Sequence, residues 1–192
     1  KKVFATLLVG MLAVFSFAAF EVTGGYVNAS LATAQNGGTY VTMQGISVGA
    51  NYLYDGLGVE GGALLGGVSF DYYFPEEFIN NLTETTEITQ MSLGVNAGYR
   101  QSLNAFFPDL PFGMYAQGLF NYSLGLGDPK VVASSLGFGG GAGASFAVQN
   151  LDMNVGADVL FEKPTVAEAY DEAYQSEFQV RPKFKVYAGV QF

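Results

Sequence analysis

The sequence has no cysteine, no histidine and few charges. Without cysteine, neither a disulfide framework nor a lipidated N-terminal cysteine is available. Without histidine there is no Ser-His-Asp triad and no histidine metal site, and most acid–base designs are lost. Charged residues make up only 13% of the chain, well under the ~25% of ordinary soluble domains. The net charge is −9, which argues against nucleic acid, whose backbone needs a cationic surface. Long hydrophobic runs are missing as well. Beyond Phe20 no uninterrupted apolar stretch approaches the ~20 residues of a helical membrane span.

What is present is dispersed apolarity: 49% hydrophobic residues, 15% aromatic residues and 26 glycines. Apolar residues that recur at every second position signal strands. The final segment is the plainest case. Phe178, Val180, Pro182, Phe184, Val186, Ala188, Val190 and Phe192 alternate with Gln179, Arg181, Lys183, Lys185, Tyr187, Gly189 and Gln191. Seven further alternating segments are predicted near 20–30, 39–54, 57–74, 87–102, 111–124, 134–149 and 151–162. In the fourth, Met91, Leu93, Val95, Ala97 and Tyr99 oppose Ser92, Gly94, Asn96, Gly98 and Arg100. The pairs Gly24-Gly25, Gly61-Gly62 and Gly66-Gly67 blur the pattern early in the chain and mark candidate bulges.

The start of the chain has a different character. Lys1-Lys2 precedes the apolar run Val3–Phe15, and Ser16 and Ala18 are small residues at the positions a signal peptidase reads. Residues 1–18 are therefore expected to be a cleavable signal peptide, leaving 19–192 as a single domain. Connections between the predicted strands alternate in length. Asp55-Gly56 and Gln149-Asn150 are short, and 103–111 is intermediate. The links near 31–38, 75–86, 125–133 and 163–177 are long. Short turns on one side and long loops on the other fit an all-β fold: an eight-stranded antiparallel transmembrane β-barrel (meander) with both termini on the short-turn side.

In these features the chain resembles the small outer-membrane barrels of the OmpA/OmpX and opacity-protein type. The resemblance implies location in the bacterial outer membrane, contact with membrane lipid, and a terminal strand read by the outer-membrane assembly machinery through Phe184, Val186, Val190 and Phe192. With nothing after Phe192, the peptidoglycan-binding domain of OmpA itself has no counterpart, so anchoring to the cell wall is not carried over. Aromatic girdles are expected from Tyr52, Tyr54, Tyr99, Phe112 and Phe192 at the short-turn side. Tyr40, Phe70, Tyr72, Phe74, Tyr122, Phe161 and Phe178 would form the other ring.

In such a barrel the polar face lines the lumen. The inward cations are Arg100, Arg181, Lys183 and Lys185; Asp71, Asp158 and Glu162 are inward carboxylates, and Glu60 is ambiguous. Parity alone puts Asp158 within reach of Lys183, with Arg181 or Lys185 as neighbours. An internal ion-pair network that fills the lumen is the expectation, since eight strands leave an interior just wide enough for side chains. The loops are acidic: Glu76, Glu77, Glu84 and Glu87 in one, Glu168, Asp171, Glu172 and Glu177 in another. A surface glycan or a basic protein, in the first case through bridging divalent cations, is the partner such loops would suit. The Ala167–Tyr174 stretch also has the spacing of a helical turn. Gly139-Gly140-Gly141 lies within a strand and leads into no helix, so it is no phosphate cradle. No enzyme, cofactor or metal site is expected. The functional expectation is a structural or surface-interaction protein. A narrow channel or transporter for small or apolar solutes is the alternative, and a secreted barrel binding a lipid-like ligand is the third.

Deleting Phe192 is expected to lower the amount of folded, heat-modifiable protein in the outer membrane several-fold while export across the inner membrane continues. Fractionation with unheated gels checks this, and unchanged folded levels would count against the assembly signal.

Overall fold

Backbone amides in hydrocarbon find no partner outside the chain, so strands that enter a membrane must close on one another. The computed structural model does so. It describes residues 18–33, 40–80, 84–110, 112–127, 130–166 and 180–192. Its strands are β1 (Ala18–Thr33), β2 (Tyr40–Tyr54), β3 (Gly62–Tyr73), β4 (Glu76–Asn80), β5 (Glu84–Ile88), β6 (Met91–Ser102), β7 (Gly113–Leu126), β8 (Val132–Val148), β9 (Leu151–Val166) and β10 (Arg181–Gln191). Eight of these form a closed antiparallel barrel in the order β1-β2-β3-β6-β7-β8-β9-β10, and β10 pairs back to β1. Beyond the last ladder pair the seam is completed by reciprocal backbone bonds of 3.1 and 2.8 Å between Phe20 and Phe192.

The pairings fix the geometry. A path perpendicular to the strands runs Ala19, Leu53, Leu65, Gly98, Leu119, Gly139, Leu160, Lys183 and returns to β1 at Ala29. The stagger around the barrel is thus ten residues. With eight strands it corresponds to a tilt of roughly 40° and a backbone cylinder about 16 Å across.

The expected alternation holds around the wall. Val95 and Val186 are 59% and 57% exposed, whereas the inward Asn154 and Asp158 are 2% and 7% exposed. The aliphatic residues expected outside (Leu93, Val95, Val155, Ala157) are exposed, and Arg100 and Lys183 are buried. The registers and the tilt together place one small outward residue of each strand at nearly the same height. Gly24, Ala50, Gly66, Ala97, Gly118, Ala142, Ala157 and Ala188 fall within about 5 Å of one another along the axis. Larger rings border this waist: Tyr26, Phe70, Phe120, Phe138, Phe161 and Phe184 on one side, and Phe20, Tyr52, Tyr99, Phe146 and Phe192 on the other.

Four expectations need correction. Asp55-Gly56 is not a two-residue turn: the link runs from 55 to 61, with Gly58 and Gly61 at φ +71° and +69°. The expected loop at 75–86 contains the hairpin β4–β5, whose Thr, Ile and Phe content suits strands. Strand β9 continues past Lys163 to Val166. The glycine pairs are not bulges; the register shifts lie at Ser30/Ala32 and Val132/Ser134. The remainder of the expected signal peptide before Ala18, the Ala167–Tyr174 turn, and Glu168, Asp171, Glu172, Glu177 and Phe178 lie outside the described residues.

At the end bearing β4–β5 the interior turns apolar. Val27, Ala29, Met43, Tyr73, Val131 and Val132 are buried there. Gln90 ties the link that follows β7 across this mouth: its Oε1 accepts from Val131 N at 3.1 Å and Val132 N at 3.3 Å.

Inward glycines make room for lumen side chains lying against the wall. A Cβ at Gly141 would run into the Asp158 carboxylate and the Ala157 carbonyl, whereas one at the outward Gly118 would meet nothing within 4 Å. Gly141→Ala is expected to cost about 1–3 kcal/mol. Gly118→Ala should be neutral within about 0.5 kcal/mol. Urea unfolding of the two variants in lipid or detergent compares them directly.

Candidate functional site: the ion-paired lumen

The polar residues of the inner wall form two connected clusters. The first centres on Glu21, which is 0% exposed. Arg100 on β6 donates to it in bidentate fashion, Nη1 to Oε1 at 2.8 Å and Nη2 to Oε2 at 3.1 Å. Asn51 on β2 adds a bond of 2.8 Å and Asn154 on β9 one of 2.6 Å. The planar fork of arginine suits this two-point contact. Arg100 Nε donates to Gln117 Oε1 at 2.9 Å, and the guanidinium lies 4.2 Å above the Tyr115 ring. Gln117 Nε2 in turn donates to Asp158 at 2.8 Å and to the Tyr187 hydroxyl at 3.1 Å. The Tyr115 and Tyr187 hydroxyls are 3.0 Å apart. Six of the eight barrel strands meet in this cluster.

The second cluster, nearer the β4–β5 end, centres on Lys183. Its ammonium lies 2.8 Å from Asp71 and 3.3 Å from Glu162. Ser92 donates to Asp71 at 3.4 Å and Ser135 to Glu162 at 3.1 Å. Between the clusters, Lys185 lies 5.8 Å from the centre of the Tyr187 ring, and Asn121 donates to Asn96 at 2.7 Å.

Among the described residues the charges buried or half-buried in the lumen balance, with Asp55 and Asp152 exposed at its mouth. Arg100, Arg181, Lys183 and Lys185 face Glu21, Asp71, Asp158 and Glu162, four against four. Removing these eight from the chain's 17 acids and 8 bases leaves thirteen acids and four bases elsewhere. A charge inside a low-dielectric wall is costly unless paired and hydrogen-bonded, and most of these carboxylates are.

The expected network members are brought into the lumen, but their pairing differs. Parity alone pairs Asp158 with Lys183. The register instead sets Asp158 opposite Lys185 and Lys183 opposite Leu160, and Lys183 takes Asp71 and Glu162. Parity does not distinguish a residue from its neighbour two positions along, so it cannot choose between them. Arg181 stands opposite Glu162 in the ladder. Glu60 is exposed in the 55–61 link and is no part of the lumen. Glu21 is a lumen residue that the sequence analysis misses, although its alternation with Phe20 and Val22 assigns it to the inner face. Phe184, Val186 and Phe192 are outward and exposed, and Val190 is half-buried. Of the acidic residues, Glu76 sits at the base of β4 opposite Ile88, while Glu77 pairs in register with Glu87 and Asn80 with Glu84.

A membrane wall of apolar strands around a neutralised polar lumen defines the class of small transmembrane β-barrels. The profile of the family described as outer membrane protein beta-barrel domain matches residues 4–185, and the chain belongs to that family. It is accordingly a protein of the bacterial outer membrane. No curated protein sequence matches it. Similar solved structures include Neisserial surface protein A, at 17% identity and a TM-score of 0.48, covering 90% of this chain and 97% of that one. Ail, the attachment invasion locus protein of Yersinia pestis, solved with the heparin analogue sucrose octasulfate, is 14% identical with a TM-score of 0.48 and coverages of 91% and 99%. A major outer membrane protein from Thermus thermophilus is 13% identical with a TM-score of 0.49 and coverages of 90% and 98%.

Glu21→Gln leaves Arg100 without its counter-charge and is expected to destabilise the barrel by about 3 kcal/mol, the lower end of the range for a broken buried pair. Arg100→Met in the same chain should restore part of the loss. A double-mutant cycle from urea unfolding in detergent checks this; additive single effects would show the pair uncoupled.

Proposed function

We propose that this protein is a non-catalytic outer-membrane anchor, whose filled barrel holds acidic loops at the cell surface. The observation that carries this reading is the neutral, hydrogen-bonded lumen. Among the described residues it holds cavities of about 30, 40 and 180 Å³. The two smaller ones have room for a few waters each. The largest of the three lies at the end where β1 begins and β10 ends, lined by Ala19, Leu53 and Gln191. The absence of histidine from the sequence supports a non-catalytic role. The acidic residues of β4–β5, and Glu168, Asp171 and Glu172 in the long link after β9, suit a basic protein, or an anionic glycan bridged by divalent cations. The polar, charge-bearing interior speaks against a secreted barrel that stores a lipid-like ligand.

One arrangement favours the channel alternative. The cavities lie in series: Arg100 borders both the 180 and the 40 Å³ cavity, and Lys183 borders both the 40 and the 30 Å³ cavity. Passage would then require both ion pairs to open.

Reconstituted in planar bilayers, the purified protein is expected to give no stable conductance steps. Regular steps from the wild type, enlarged by Lys183→Ala, would replace the anchor reading with the channel. An epitope inserted at residues 81–83 should be detected on intact cells, and one at 149–150 only after permeabilisation.

A further inference from the structure

Two of the three connections at the end where β1 begins and β10 ends are apolar, the exception being the turn at 149–150. Phe106 and Phe107 in the β6–β7 link are 64% and 62% exposed, and Leu57 and Val59 in the β2–β3 link are 45% and 50% exposed. These links follow neighbouring strands and are joined. Ser102 N donates to Gly61 O at 2.7 Å, and Gln101 Nε2 donates to Glu60 O at 2.9 Å.

Gln101 belongs to the outer face of β6, two residues from Tyr99, whose hydroxyl donates to Gln101 Oε1 at 2.7 Å. A Cβ at the outward Gly62 would meet the Tyr99 hydroxyl and lie 3.1 Å from Val59 Cβ. Val59, in the middle of the β2–β3 link, therefore folds back over the outside of the wall, while Asp55 and Gly61 at its ends border the lumen cavity. The β6–β7 link is built with equal definition. Phe106 N and Phe107 N donate to Leu103 O at 3.0 and 2.9 Å. Asn104 donates to Phe112 O at 3.2 Å and accepts from Met114 N at 2.8 Å. The exposed phenylalanines are thus held on a short 3₁₀ turn, next to Phe112, which continues the lipid-facing column of Ala116, Phe120 and Tyr122.

We propose that these two connections form an interfacial foot, seated in the headgroup zone of a zwitterionic phospholipid leaflet at this end of the barrel. Continuity with the lipid-facing wall identifies the occupant. Aromatic side chains favour the depth at which headgroups meet acyl chains. The charged residues of the two links are Asp55, Glu60 and Asp109, all exposed. With no cation in either link, an anionic leaflet is disfavoured and a zwitterionic one preferred.

The chain has no tryptophan, so Phe106→Trp and Leu57→Trp each introduce a single reporter. Val95→Trp provides a mid-membrane reference. Each variant, folded as judged by heat modifiability, is reconstituted in phosphatidylcholine vesicles carrying bromine near the carbonyl end of the acyl chain or near its terminus. The foot reading expects the indole fluorescence of the two link variants to be quenched several-fold more by the shallow bromines than by the deep ones, with protection from aqueous iodide. The reference variant should show the reverse depth order. Iodide quenching without lipid quenching would overturn the proposal in favour of a solvated turn. Protection from both quenchers would overturn it in favour of a protein contact. Adding anionic phosphatidylglycerol should weaken shallow quenching; strengthened quenching would refute the charge argument. Two reporters on separate links keep the test decisive if one variant fails to fold.

Discussion

Hydrocarbon offers no partner to a peptide N–H or C=O, and every other feature of this molecule follows from that fact. Helices were closed to the chain beyond Phe20, because its apolar residues are spread over alternate positions instead of collected into runs. Strands that alternate in this way satisfy their backbones only by closing a ring. With eight strands and a stagger of ten, the ring encloses a space of side-chain width that cannot be left empty. The interior must then be filled by side chains that face away from lipid, and on an alternating strand those side chains are polar.

That sequence of constraints accounts for the character of the lumen. Polar filling in a low-dielectric wall is stable only when charges cancel and donors meet acceptors. The four-to-four balance and the chain of bonds from Asn154 through Glu21, Arg100 and Gln117 to Asp158 meet that requirement. Inward glycines serve the same end from the backbone, leaving space along the wall where a carboxylate or a phenol can lie flat. The outward face answers to another solvent. Its small residues gather at mid-height and its rings toward both rims, so the wall is slimmest where the two leaflets meet.

The fold was legible because a period of two is a direct imprint of a two-faced wall. Strand number, the inward direction of Arg100 and Lys183, and the outward direction of Val95 and Val155 all follow from parity. Parity runs out where the answer depends on register. It assigns Asp158 and Lys183 to one lumen but does not say that Lys183 meets Asp71, more than a hundred residues away in sequence. Glu21 is readable by the same rule, yet it lies close behind the apolar run Val3–Phe15, where a cleavage site is expected rather than a buried charge. The β4–β5 hairpin is hidden for a different reason: acidic residues suggest a solvated loop, while the threonines, Phe78 and Ile88 between them carry the strand signal.

The position of Glu21 also constrains the order in which the molecule can be made. This carboxylate sits on the first strand, but the groups that neutralise and bind it come from residues 51, 100 and 154. A nascent sheet of two or three strands entering the membrane would carry that charge with no arginine to meet it. Insertion one hairpin at a time is therefore uphill at its outset, and closing contacts between distant parts of the chain are slow to form. The favourable route keeps the inner face of the early strands hydrated until β6 and β9 arrive, so that lumen and wall are completed together. Placing the carboxylate first in the chain and its partners later makes half-built barrels poor occupants of the bilayer.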